Sequence, residues 1–205
     1  MKKKRSVSRW RRLEWPVLAV GSAISLGLIS WQLLFKPFPM PADDSAFWRR
    51  AKESREIHIG IAGDEVVAMF WSPFEPAELR ELLLDVEGYP AVFPTIPKMT
   101  LVARSKDSAS AAGTMSVLGP LTVSFAFALK AEDAPRGAKA LRWEGTGTAL
   151  RSNAGSWLMR DESGGSAVIT RLNLVPAGRL VPVRVWCRLL VPFARHSLSF
   201  LGVHA

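Results

Sequence analysis

The sequence predicts an α+β domain, a curved antiparallel sheet of about seven strands wrapped around a long C-terminal helix and preceded by one transmembrane helix. Three patterns predict it. An uncharged run of 21 residues stands near the N-terminus, turn-punctuated segments with period-two apolar spacing fill positions 98–176, and a 3.6-residue period takes over at Pro182. With 48% apolar and 22% charged residues, the composition is that of a folded chain.

The distribution of charge excludes one class of function. Lys and Arg number 27 against 18 acids, a formal charge of +9, yet residues 1–14 hold seven bases and a single acid, so the rest is nearly neutral. A nucleic-acid footprint needs basic side chains spread over a folded face, and here they sit in a tail. The stretch Trp15 to Phe35 follows without a charge, and at about 1.5 Å per residue such a helix spans a bilayer core. Trp15 and Trp31 lie near its ends, and Pro16 falls in the first turn, where a missing N–H costs little. These features predict a basic cytoplasmic tail (1–14) and a signal-anchor helix (15–35). By the positive-inside rule the protein is then a single-pass protein of the cytoplasmic membrane, with its C-terminal domain outside the cytoplasm, periplasmic where an outer membrane exists. A cleaved signal peptide fits less well, because the apolar run is too long and no small-x-small site follows it.

Residues 36–54 are expected to be a linker. Pro37, Pro39 and Pro41 favour a stiff extended chain, and Phe47 to Glu56 reads as a short, charged surface helix. Residues 55–205 are then long enough to form one folded domain. Its single cysteine, Cys187, rules out an internal disulfide and a cysteine-based metal site.

Within that domain Ile57, Ile59 and Ile61 alternate with smaller or polar residues, Gly63-Asp64 makes a turn or bulge, and Glu65 to Trp71 continues as strand. The segment Ser72 to Asp85 reads as a helix with Leu79, Leu82 and Leu83 on one stripe. Gly88, Pro90, Pro94 and Pro97 then limit the chain to a short helical corner. Six strands are expected at roughly 98–106, 111–118, 120–132, 138–148, 151–161 and 165–176. In the third, Leu121, Val123, Phe125, Phe127 and Leu129 make one apolar face, while on the last Arg171 and Asn173 oppose the face of Val168, Thr170, Leu172 and Leu174 and are expected to point outward. Pro182 to Val203 is an amphipathic helix. Arg184, Arg188, Arg195 and Ser199 lie on one side of it, and Trp186, Leu189, Leu190, Phe193, Ser197, Phe200 and Leu201 on the other. Pro192 is expected to kink it.

No catalytic residue, metal ligand or cofactor is assigned. His58, His196 and His204 belong to no metal-ligand or triad pattern, no nucleophile elbow, phosphate loop or dinucleotide fingerprint is present, and Asp85 reads as a hydrogen-bonding group at a helix end. The chain is instead rich in large rings at positions bound for the interior. Rings pack poorly against a strongly curved sheet, which opens a ligand cavity as an alternative to the dry core that is the commoner fate of aromatic side chains.

The run LLLDVEGYPAVFP (82–94) resembles the D-x-x-x-Y-P-x-F-x-P corner of the START-like superfamily, in its polyketide-cyclase and coenzyme-Q-binding branch. Asp85, Tyr89, Pro90 and Pro94 match, and Val92 replaces the usual Phe, with Phe93 beside it. Trp143, Gly155 and Trp157 are similar to the same branch's downstream Trp and Gly-x-Trp. The resemblance implies a helix-grip fold and a deep apolar cavity, used by relatives for lipids, quinones, sterols or polyketides. The expected lining is Tyr89, Phe93, Phe125, Phe127, Trp143, Trp157, Trp186, Leu190, Phe193 and Ser197. The function expected is non-catalytic, membrane-tethered binding or transfer of a hydrophobic small molecule. A cyclase or dehydrase acting on a polyketide and an envelope protein-interaction module are the alternatives.

Overall fold

A computed structural model describes residues 40–118, 121–148, 150–178 and 183–203. The basic tail, the 15–35 segment, the first part of the linker and His204 lie outside them. Element order is α1 (Ser45–Ser54), β1 (His58–Ala62), β2 (Glu65–Ser72), α2 (Pro76–Leu84), a 3-10 turn (Val86–Gly88), α3 (Tyr89–Val92), β3 (Lys98–Arg104), β4 (Ser108–Leu118), β5 (Leu121–Asp133), a 3-10 turn (Pro135–Gly137), β6 (Lys139–Gly147), β7 (Leu150–Asp161), β8 (Ser166–Pro176) and α4 (Val183–Val203).

The strands form one sheet in the order β1-β2-β8-β7-β6-β5-β4-β3, with every neighbouring pair antiparallel. There are eight strands rather than about seven because Gly63, at φ 63°, closes a hairpin that pairs Ala62 with Glu65. A left-handed backbone angle at that point turns the chain back instead of letting one strand run on.

Strand β2 is apolar from Val66 to Trp71 because it is covered on both faces. Val66, Ala68 and Phe70 join the main core under α4, while Met69 and Trp71 join a second cluster on the back of the sheet with Phe47, Trp48 and Ala51 of α1. The helix read as a charged surface helix therefore buries one stripe. Asp44 caps it by accepting from the Phe47 N–H at 2.7 Å, and the Trp48 indole N–H donates to Asp43 at 2.8 Å. Charges flank this stripe: Lys52 sits 5.2 Å from the centre of the Trp71 ring, and Arg160 of β7 lies over Trp48 and pairs with Asp43.

Helix α4 lies along β2. The Cys187 thiol, near its start, donates to the Asp64 carbonyl at 3.4 Å, and near its end the Leu201 carbonyl accepts from the Ser72 hydroxyl at 2.9 Å. It packs on β1, β2 and β8. Its buried positions Leu190, Ala194, Leu198 and Leu201 follow the 3.6-residue period, and Pro192 sits inside it on an exposed face. The other half of the inner sheet face is covered by α2, which lies against β6 and β7, and by the corner after it, which meets β3. Leu79, Leu83 and Leu84 are the buried side of α2, with Leu82 only partly buried.

The expected placement as a single-pass protein of the cytoplasmic membrane is corrected: among the described residues no helix is long and apolar enough to cross a bilayer. Helix α4 has 21 residues, but Arg184, Arg188 and Arg195 interrupt its apolar character.

Candidate functional site

A cavity of about 150 Å³ lies between the inner sheet face, α4 and the corner. Alternation along the strands supplies its floor: Phe125, Phe127 and Leu129 from β5, Asn153 and Trp157 from β7, and Thr170 and Leu172 from β8. Phe125 and Phe127 stack at 5.7 Å with planes 9° apart, and Tyr89 lies over Phe127 at 6.2 Å and 18°. Three nearly parallel rings thus line one wall. Phe93 meets Tyr89 edge-on at 5.0 Å.

The corner is fixed by Tyr89, whose hydroxyl donates to the Leu83 carbonyl at 2.5 Å and so satisfies a carbonyl in the last turn of α2. Burial, and secondarily the negative charge of Asp85, push the Tyr89 phenol well above its ordinary range near 10. The unfolded chain therefore gives up this proton before the folded one does. Tyr89's contribution to stability is complete below pH 10.0 and is lost as pH climbs above it. Tyr89 is the only tyrosine, so near-ultraviolet tyrosinate absorbance reads it alone. Folded protein is expected to show no rise at the pH where the denatured chain shows one. Tyr89→Phe should remove the alkaline loss and cost about 1–2 kcal/mol at neutral pH, measured by urea unfolding.

Trp143 and Gly155 face each other across β6 and β7. A Cβ on Gly155 would lie 2.2 Å from Trp143 Cζ2, so the indole occupies the space that glycine leaves. Trp143 then reaches Asn153, donating from Nε1 to Oδ1 at 3.0 Å, and lies 6.2 Å from Trp157. Across the cavity, Thr95 after the corner and Ser197 of α4 share a hydrogen bond of 2.8 Å between their hydroxyls. It ties the corner to the helix.

Of the residues expected in the lining, Tyr89, Phe93, Phe125, Phe127, Trp143, Trp157 and Ser197 are in it. Leu190 is buried in the main core but does not reach the cavity. The side chains of Trp186 and Phe193 lie outside the described residues. Sequence reasoning missed Asn153, Thr95 and Ala194. Asn153 shares the period-two face of Gly155 and Trp157, which was a usable signal; Thr95 is in an irregular loop and carried none.

No charged side chain lines the cavity among the described residues. Arg171 points to the other face of the sheet and pairs with Glu65 at 3.2 Å. Asp85 lies 3.7 Å from Arg104 at the end of α2, and His58 sits at the sheet edge beside Glu56 and the Phe47 ring.

No family model matches the chain, and no curated protein does. Solved structures match over most of the folded part. The STAR-related lipid transfer protein of Xanthomonas axonopodis superposes with a TM-score of 0.61 at 15% identity, covering 72% of this chain and 91% of that one. An aromatase/cyclase, Zhui, of a Streptomyces species gives 0.54 at 18% identity, covering 67% and 88%. The lipid transfer and protein localization domain of human StarD13 gives 0.53 at 12% identity, covering 79% and 97%. At these identities the likeness speaks to architecture alone: this chain shares the helix-grip fold of these structures, and its sheet and helices border a hydrophobic cavity.

Proposed function

We propose that the protein takes up a neutral, apolar small molecule in this cavity and carries it without altering it. The observation that supports this most directly is a void walled mainly by aromatic and aliphatic side chains, with no charged group among the described residues that line it. Tyr89, the one titratable side chain among the described residues of the wall, is held protonated by burial and occupied by the Leu83 carbonyl. None of these residues is then a proton-transfer group at neutral pH.

The energetics suit reversible capture. Apolar surface removed from water contributes about 25 cal/mol per Å², so a two-ring guest burying roughly 300 Å² gains about 7–8 kcal/mol before the cost of immobilising it. Micromolar dissociation constants are then the tightest expected. As a volume reference, an apolar cavity of about 150 Å³ in another protein stays dry and binds benzene.

Native mass spectrometry after gentle purification tests the proposal. The protein is expected to carry a non-covalent, uncharged adduct that organic solvent strips, or to take up an added apolar probe when empty. Bare protein that also leaves such a probe unbound would overturn it. Conversion of the guest to a product would contradict the non-catalytic part alone.

A further inference from the structure

One polar group in the cavity wall is held in a fixed orientation with its donor unanswered. Asn153 is 7% exposed, and its Oδ1 accepts from the Trp143 indole at 3.0 Å. An indole N–H only donates, so the amide oxygen must face it and the NH2 must turn away. Among the described residues Asn153 Nδ2 has no hydrogen-bond partner, although the side chain is part of the cavity wall. The indole that sets this orientation is itself confined, because it fills the space above Gly155. Tyr89 is satisfied by Leu83, and Thr95 and Ser197 satisfy each other. The Thr170 hydroxyl also lacks a side-chain hydrogen bond among the described residues, but it can turn either way, and it stands opposite Trp157, whereas Asn153 stands opposite Leu174, so the two polar groups serve different stretches of wall.

We infer that the Asn153 amide is the recognition donor of the cavity and that it selects a neutral ring compound bearing a carbonyl oxygen. A donor that faces a mostly apolar cavity without an acceptor is unfavourable, and a guest that brings one relieves it. A carbonyl brings an acceptor and no donor of its own, whereas a hydroxyl carries a proton that also needs a partner. A carboxylate or phosphate would place a charge against a wall that holds no cation among the described residues. The parallel rings of Phe125, Phe127 and Tyr89 favour a flat guest.

This inference rests on the binding reading above, and a matched pair of probes separates the two. Indane and 1-indanone share one frame and differ by the carbonyl. In calorimetric or fluorescence-competition titrations, Asn153→Leu is expected to weaken 1-indanone about tenfold more than it weakens indane. Independently of any variant, the infrared carbonyl stretch of 1-indanone bound to the wild-type protein should fall below its value in a hydrocarbon solvent. An unshifted stretch, or equal losses for both probes, overturns the role of Asn153 while leaving the binding reading intact. Failure of the wild-type protein to bind either probe overturns both. Should Asn153→Leu not fold, the carbonyl stretch decides.

Discussion

Replacing Ala194 by phenylalanine is expected to abolish uptake of an apolar probe, lowering affinity about a hundredfold or more, while changing folding free energy by no more than about 1 kcal/mol. Ala194 lies on α4, is 5% exposed and borders the cavity together with Ser197 and Leu198. A phenyl ring built from that position enters a void comparable to those that hold one benzene, so guest and side chain compete for the same space. Overpacking a filled core costs about 1–3 kcal/mol, but filling a void replaces missing contacts and offsets that strain. Titration with indane alongside urea unfolding measures both quantities. Arg195→Ala, on the exposed side of the same helix, should change neither. Undiminished binding in Ala194→Phe would place the guest elsewhere.

A large loss of stability is expected from Gly155→Ala. The added methyl group would sit 2.2 Å from Trp143 and 2.3 Å from the backbone carbonyl of Arg171. The ring can shift, but the carbonyl belongs to β8, hydrogen-bonded to β7 along its length, and has nowhere to go. A cost of about 3 kcal/mol is expected, which for a domain of this size lowers the midpoint of thermal unfolding by roughly 6–12 °C. Gly178→Ala, where nothing lies within 4 Å of the new atom, serves as the neutral control. Displacing Trp143 also frees the Asn153 amide, so any surviving folded Gly155→Ala protein should discriminate 1-indanone from indane less well than wild type.

Much of this arrangement was legible in the residues. The period-two spacing of Phe125, Phe127 and Leu129 put them on one face because side chains alternate across a strand whatever the strand packs against. Ser197 could be placed from the 3.6-residue stripe of α4 for the same kind of reason. Trp143, Gly155 and Trp157 were recognisable by resemblance, and the structure supplies its physical basis: the glycine clears room for the first indole. Other features depend on contacts distant in sequence. Phe47 and Trp48 sit in a segment dense with charge, and only the back of β2 explains why they are buried. The hairpin at Gly63 was indistinguishable from a bulge until the pairing of Ala62 with Glu65 was known. Thr95 joins the site through one hydrogen bond to a helix about a hundred residues away, which no local pattern encodes. A placement across the membrane rested on an uncharged stretch outside the described residues, and no described helix supports it.

The central claim is that the space beneath α4 admits an apolar guest. A crystal structure of the protein soaked with indane tests it most directly. Density for one flat molecule is expected among Phe127, Trp157 and Ala194, absent from crystals of Ala194→Phe grown alike. Side chains closed over that space, with indane bound nowhere in the interior, would contradict the account.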